Sequence, residues 1–357
     1  MNGSVRVRVP ATSANLGPGF DAFGLGLFLH DVVEVHIGEP GLTIEVVGEG
    51  EATAAAGESH LVVRAMRVTF GLLDGQPPGL TLRCVNRIPH GRGLGSSAAA
   101  VVSGVLAARA LTDGGDERMP LDAVLRLASD LEGHPDNVAA CLFGGLTIAW
   151  TGAGGARAIR LAPRHAIVPL VLVAPEPLAT ETARGVLPES VPHADAAANV
   201  ARAALLVAAL TSTPENLPAP SHPAGIAGTT DAGAASSADS TLTGTQEALL
   251  EGTRDWLHQP YRAGVMPVTA ELVRRLRAAG VPAVVSGAGP SVLAFLVRPN
   301  ASGLAAAGPG MDGLDIVDST TRDMGIGWNI SVLGVDRRGA TIQSVTQGSV
   351  PPGGTPQ

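Results

Sequence analysis

The chain has 357 residues, 45% of them hydrophobic, with a formal net charge of −8 and a pI near 5.6. That length suits about two domains, and an acidic balance without blocks of like charge excludes the electrostatic footprint of a nucleic-acid or anionic-membrane binder. All 24 basic residues are arginine, which excludes chemistries that need a lysine: Walker-type phosphate loops, the usual protein kinases and Schiff-base enzymes.

Val5, Val7 and Val9 alternate with Arg6 and Arg8, the period-two pattern of a half-buried strand, which Pro10 is expected to end. The opening "MNGSVRVRVP" has no apolar h-region, so no signal peptide is expected. "ATSANLGPGFDAFGLGL" reads as a loop rich in Gly and Pro, leading into the alternation "FLHDVVEVHI". "GLTIEVVGEG" and "GLTLRCVNRIP" read as two further strands. Helices are predicted over residues 61–72, 96–111 and 121–131, and "GGLTIAW" returns to strand. Strands first and helices afterwards point to α+β layers rather than strict βαβ repetition. Cys84 and Cys141 stand in apolar contexts and read as buried thiols, since a disulfide framework or metal cluster needs more ligands. A cytoplasmic setting follows.

From Ile167 the chain restarts with a buried strand, "IVPLVLVAP". Like the other clean apolar stretches, it is far shorter than the about 20 residues of a membrane span. A helix is predicted over 194–210. Between Thr211 and Gln246 the chain is dominated by Ala, Gly, Ser, Thr and Pro, with no aromatic residue. Such a segment buries too little surface to offset its ordering entropy and is expected to be a disordered insertion. Residues 248–257 and "VTAELVRRLRAAG" follow with helical spacing. "AVVSGAGPSVLAFLV" reads as strand, glycine turn and strand, and "WNISVLGVD" as a last strand. The expected division is an N-terminal domain over 1–160, a C-terminal domain over 161–340 and a loose tail over 341–357.

"IPHGRGLGSSAAAVVSG" (Ile88–Gly104) carries the first chemical signal. Helix N-termini offer unpaired N–H donors and partial positive charge to an anion. Gly91, Gly93 and Gly95 let the backbone approach that anion closely. Ser96 or Ser97 is expected near the N-cap, where a hydroxyl can touch phosphate or ligate Mg²⁺. The bland alternative is an ordinary strand-to-helix turn with a serine cap.

The spacing is neither Walker A nor G-x-G-x-x-G; "GRGLGSSA" preceded by "IP" resembles the central motif of the GHMP small-molecule kinases. "PATSANLGPGFDAFGLGL" (Pro10–Leu27) is similar to that family's first motif and "SGAGPSVLAF" (Ser286–Phe295) to its C-terminal glycine motif. "SANLGPGFD", "LEGHPDNVA" and "QPYR" resemble the homoserine kinase branch. The resemblance spans most of the chain, 211–246 apart. It implies the GHMP kinase fold: an N-terminal domain like the second domain of ribosomal protein S5, a ferredoxin-like C-terminal domain, and an active site in the cleft between them. It implies ATP and Mg²⁺, with the nucleotide phosphates wrapped by Pro89, His90, Gly91, Arg92, Gly93, Leu94, Gly95, Ser96, Ser97 and Ala98, and supported by Gly287 and Gly289. Glu132 and Ser97 would hold the metal.

The implied substrate is L-homoserine, a zwitterion with a hydroxyl. Arg184 and Arg262 match its carboxylate arginines, Asn15 and Asp21 the contacts to its polar head. Thr180 matches a residue near the reacting hydroxyl and His134 a further substrate contact. Planar guanidinium forks suit a carboxylate bidentately. Arg184 would also neutralise charge on the phosphoryl group in transit. Asp136 and Asn137 stand where other members place an aspartate base, although a loose transition state also permits transfer without one. The resemblance makes a homodimer the usual assembly. Alternatives are a member acting on mevalonate, a sugar or a diphosphocytidyl polyol, for which the paired arginines and Asp21 are ill suited, and a silent ligand-binding homologue, which should have lost Glu132 or the glycine loop.

Overall fold

A computed structural model describes residues 3–73, 75–212, 237–298 and 311–345. The first sheet is built from β1 (Ser4–Ala14), β2 (Phe23–Ile37), β3 (Gly41–Gly48), β4 (Gly79–Asn86), β5 (Leu146–Gly152) and β6 (Gly155–Leu161). Strand β2 is its spine. Gly24–Leu27 and His30–His36 pair antiparallel with β1, Val32–Ile37 pair with β4, and Phe23–Leu25 pair with β5. Pro10 does not end β1. The register shifts between Pro10 and Ala11, and this bulge accommodates a residue with no N–H to donate. The first-motif loop therefore shrinks to Asn15–Ala22.

Helices α1 (Leu61–Leu73), α2 (Ser96–Leu111), α3 (Gly115–Arg118), α4 (Leu121–Glu132) and α5 (Asp136–Phe143) cover this sheet. The small residues of α2 let it sink among its neighbours, and it is buried almost all round. A Cβ on Gly104 would come 2.5 Å from the Val62 carbonyl of α1, so only glycine permits that approach.

The second layer contains β7 (Ile167–Val173), α6 (Thr180–Gly185), α7 (His193–Thr211), α8 (Ser237–Gly252), α9 (Gln259–Arg262), α10 (Pro267–Ala278), β8 (Ala283–Val285), β9 (Val292–Val297), α11 (Met311–Asp323) and β10 (Asn329–Val332). Its strand order, β10-β7-β9-β8, is antiparallel throughout, the ferredoxin-like arrangement. The continuous apolar run of β7 suits its place inside this sheet, with β9 and β10 on its two edges and both faces covered. One buried cluster runs from Val7, Leu16 and Leu94 to Val171, Leu249, Val284 and Phe295, so the two layers share a core. Loops from both meet at its edge.

Two further expectations change. Of the stretch 211–246, residues 213–236 lie outside the described residues, whereas Thr211 closes α7 and 237–246 form the start of α8. Helix α8 as a whole packs along α7, a tertiary contact that composition does not carry. The expected tail contributes Thr341–Val345 as β11, paired antiparallel with β1; residues 346–357 lie outside the described residues. Helix α7 is long and apolar enough to cross a bilayer by length and composition. Its polar groups nonetheless bind the protein: Asn199 donates to the Pro18 carbonyl at 2.7 Å and accepts from the Trp256 amide.

Candidate active site

At the junction of the layers lies a cavity of about 160 Å³, on which many of the candidates, though not Asp21, converge. It is lined by Asn15, His134, Thr180, Arg184, Arg262, Glu132, Ser97, Asp136 and Asn137, with Gly91, Gly93, Gly95, Ser96 and Gly287 along one side. These residues come from six separate parts of the chain.

The loop after β1 is conformationally unusual. Asn15, Leu16 and Asp21 all have positive φ, at 68°, 50° and 53°, a region few non-glycine residues occupy. Leu16 is held there by complete burial. Asn15 is held by hydrogen bonds: its Nδ2 donates to the Gly287 carbonyl at 2.9 Å, and its Oδ1 accepts from the Asp21 amide at 2.9 Å. Such over-determined strain belongs to ligand-binding loops. The result aims Asp21 at Arg184, on α6, whose Nη2 and Nη1 donate to Oδ1 and Oδ2 at 2.7 and 3.2 Å. That bond to Asp21 holds the Arg184 guanidinium more firmly protonated than usual.

Arg262, on α9, is 1% exposed and has no carboxylate partner among the described residues. Its Nε donates to the Ala183 carbonyl, and its Nη1 to His258 Nδ1 and the Gly287 carbonyl. Burial lowers its affinity for its proton, and the charge of Arg184 lowers it further. Both guanidinium groups lie over the Phe20 ring, at 5.8 and 5.5 Å from its centroid. One aromatic face thus carries two arginines, of which Arg184 is paired with Asp21 while Arg262 has no ion pair among the described residues, so the Arg262 charge favours an anion.

The glycine loop differs from expectation at its cap. The N-cap of α2 is Gly95, at φ 70°, with no side-chain cap, and Ser96 and Ser97 are the first residues of the helix. A serine cannot replace Gly95, because a Cβ there would overlap Thr12 Oγ1. The uncapped first turn keeps its amide donors for a ligand. Arg92 plays another part than phosphate contact: its guanidinium is spent on the carbonyls of Ala174, His90 and Pro175, stapling the loop to the end of β7. Leu94 and Ala98 are buried and can offer only backbone. Gly289 packs behind Gly93 rather than into the cavity. His90 lies on a second cavity, of about 320 Å³, that shares Ser96 and Ser97 and is lined also by His60, Asn86, Cys84 and Ser103.

Opposite the loop, Glu132 Oε2 accepts from Ser97 Oγ at 2.7 Å. Burial holds the Glu132 carboxyl above its usual range, the condition of a carboxylate short of positive charge. Among the described residues no three His, Cys, Asp or Glu side chains could hold a metal together. One carboxylate and one hydroxyl fit a hard cation that takes its remaining oxygens from phosphate and water, the usual habit of Mg²⁺. Asp136 approaches the cavity because Gly24 of β2 has no Cβ to strike its carbonyl. Asp136 is buried, and its Oδ1 accepts from the Asn137 amide and from His134 Nδ1 at 2.9 Å. The N-cap of α5 is Pro135, while Asn137 Oδ1 accepts from Thr12 Oγ1 at 2.7 Å. The hydrogen bond to Asp136 raises the His134 proton affinity above the usual histidine value.

A charge-assisted bond of this kind contributes about 1.5–3 kcal/mol. Its sign with pH is fixed: the group's folded value is raised, so the contribution is complete below about pH 6.5 and is lost as pH rises through the folded value. The thermal midpoint of the native protein should therefore exceed that of His134→Gln most at pH 6, with the gap closing towards pH 9. A gap independent of pH would show that the pair carries no proton.

Phe20, Thr12, His258 and the second cavity were not singled out by residue type. The one available signal was the i, i+4 spacing of His258 and Arg262 in "HQPYR".

Family models for the GHMP kinases N-terminal domain and the GHMP kinases C-terminal domain match residues 60–145 and 237–307. The chain is 50% identical to the homoserine kinase of Streptomyces coelicolor over 95% of its length and 94% of that protein. It is 45% identical to that of Clavibacter michiganensis over 97% of its length and 96% of that protein. Among solved structures, homoserine kinase from Cytophaga hutchinsonii superposes with a TM-score of 0.71 at 22% identity, covering 96% of this chain and 98% of that one.

Proposed function

The chain belongs to the homoserine kinases of the GHMP kinase superfamily, which transfer phosphate from ATP to the hydroxyl of homoserine in threonine biosynthesis, and we propose how its cleft divides that work. The nucleoside occupies the cavity lined by His60, Asn86 and His90, and its phosphates cross the uncapped start of α2 beneath Gly93 and Gly95. Main-chain amides and the helix dipole do there what a lysine does in other phosphate loops. Glu132 and Ser97 would hold Mg²⁺, which when bound neutralises charge on the β- and γ-phosphates.

L-homoserine lies across the Asp21–Arg184 pair. Its ammonium takes Asp21, with Asn15 holding that loop in shape, and its carboxylate takes Arg262 and the free edge of Arg184. Its hydroxyl then points between Thr180 and His134 towards the phosphate. Transfer is in line. Arg184 neutralises the equatorial oxygens, and Asp136 acts by fixing His134 and the first turn of α5, with Asn137 pinned to Thr12. A loose transition state needs placement and charge more than covalent help.

One observation carries this reading: Arg184, paired with Asp21, and Arg262, without an ion pair among the described residues, line the same 160 Å³ cavity as an uncapped helix start. A neutral sugar or mevalonate has no ammonium for Asp21. ADP release should be seen with L-homoserine and be at least about 100-fold weaker with mevalonate or galactose, since unpaired buried polar groups discriminate strongly. Comparable turnover of all three would overturn the assignment. Arg184→Ala should raise the homoserine KM by about 10- to 100-fold and leave ATP binding nearly intact. Loss of ATP binding with homoserine use spared would reverse the division of labour.

The buried thiols Cys84 and Cys141, the first pushed up to about 12 by burial, support a reducing, cytoplasmic setting. A homodimer is the assembly proposed for solution, to be checked by sedimentation.

A further inference from the structure

His258 is completely buried between the two halves of the cleft. Its Nε2 lies 2.8 Å from the Gly17 carbonyl. A carbonyl only accepts, so the ring proton sits on Nε2. The Nδ1 lone pair then accepts from Arg262 Nη1 at 3.0 Å. The Asp255 carboxylate accepts from the amides of Leu257, His258 and Gln259, and its Oδ2 also lies 3.5 Å from His258 Nε2. Phe20 stacks on the ring, 5.2 Å between centroids.

A closed chain of bonds results. The Gly17 carbonyl, in the loop that carries Asp21, is tied through His258 to Arg262. Arg262 Nη1 reaches the Gly287 carbonyl, which also accepts from Asn15 Nδ2. Both Nη1 hydrogens and the Nε hydrogen of Arg262 are thereby used on neutral acceptors, none of the bonds among the described residues uses Nη2, and the residue lines the cavity. An arginine without a carboxylate partner has four soft torsions and no charge to hold it. The imidazole supplies the missing constraint at no cost in charge.

We propose that neutral His258 is the positioning residue that aims Arg262 at the carboxylate of the amino-acid substrate, and so helps set specificity for a zwitterion. The inference rests on the reading that Arg262 binds that carboxylate. Because the bond is made by Nδ1, the two nitrogens can be removed separately. Glutamine in place of His258 can still donate to the Gly17 carbonyl, but it offers Arg262 nothing. Asparagine sets its Oδ1 near the position of Nδ1 and loses only the link to Gly17.

The test is steady-state kinetics of the full chain with His258→Gln, His258→Asn and Arg262→Ala. His258→Gln should raise the homoserine KM about tenfold, change kcat by less than about threefold and leave the ATP KM unaltered. His258→Asn should raise the homoserine KM less than about threefold, and Arg262→Ala at least as much as His258→Gln. Equal effects of the two His258 variants, or a loss confined to kcat, would overturn the inference while leaving the Arg262 reading standing. No effect of Arg262→Ala on the homoserine KM would overturn both. If His258→Gln fails to fold, ¹⁵N-histidine spectra of the native protein decide instead: a neutral ring protonated on Nε2 supports the inference, and a proton on Nδ1 sinks it.

Discussion

Glu132→Gln is expected to lower kcat by at least about 100-fold while the protein remains folded. The change removes one negative charge and keeps the shape, and the glutamine oxygen can still accept from Ser97 Oγ as Glu132 does at 2.7 Å. Stability should even rise slightly, because burial already disfavours the ionised form of Glu132. What disappears is a reason for a divalent cation to sit beside the loop. The pH dependence makes the test specific. Glu132 is an acid whose folded value is raised, so below that value it carries a proton that a cation must displace. Affinity for Mg²⁺ with a non-hydrolysable ATP analogue should then increase as pH rises above the ordinary glutamate value of about 4.3 and level off once Glu132 is ionised. In Glu132→Gln that slope should vanish. A variant with native kcat, or with the native pH slope, would remove Glu132 from the metal site.

The elements with long, regular patterns were legible in the sequence. The apolar small-residue run of 96–111 gives α2 with the predicted bounds, and the uninterrupted "IVPLVLV" gives β7. Pro10 misled because a bulge, a property of the pairing with β2 rather than of β1 alone, takes up its missing donor. Residues 237–246 misled because composition does not carry the packing of α8 along α7. The cap of α2 was misread by residue type: Ser96 is a good cap, but Thr12 crowds Gly95 so closely that glycine must hold the position. The candidate residues could be named from the sequence one by one, but not their arrangement. Asp21 and Arg184 lie 163 positions apart, and nothing local indicates that they bond to each other. The same holds for His258 and Gly17, 241 positions apart. Pairings at such separations arise from the topology, in which the second layer lays its glycine turn directly against the loop of the first.

That contact makes Gly93→Ala the other large expected effect. Gly93 sits at φ +69°, where an alanine costs about 1–2 kcal/mol through its Cβ alone. The larger cost is positional. The new Cβ would overlap the Ser286 carbonyl and lie 2.9 Å from the Gly289 carbonyl, both rigid backbone. Overpacking of this kind adds about 1–3 kcal/mol. Relief requires the Ser286–Gly289 turn to withdraw, which breaks the 2.7 Å bond from Ser286 Oγ to the Gly93 carbonyl. It also moves Gly287, whose carbonyl holds both Asn15 and Arg262. One methyl group therefore disturbs the proposed phosphate loop and the proposed amino-acid site together, and kcat/KM should fall by at least about 100-fold for both substrates, as displacements near 1 Å commonly do. Gly91→Ala is the control. It has nearly the same φ, +64°, but its Cβ would meet Pro177 Cβ at 3.2 Å and the Leu178 carbonyl at an ordinary 3.9 Å. It should share the strain, about 1–2 kcal/mol, and keep most of the activity. Urea denaturation beside ADP-release kinetics separates the cases. If the two alanine variants lose activity equally, left-handed backbone strain is the whole effect, and the contact between the two glycine turns does not align the cleft.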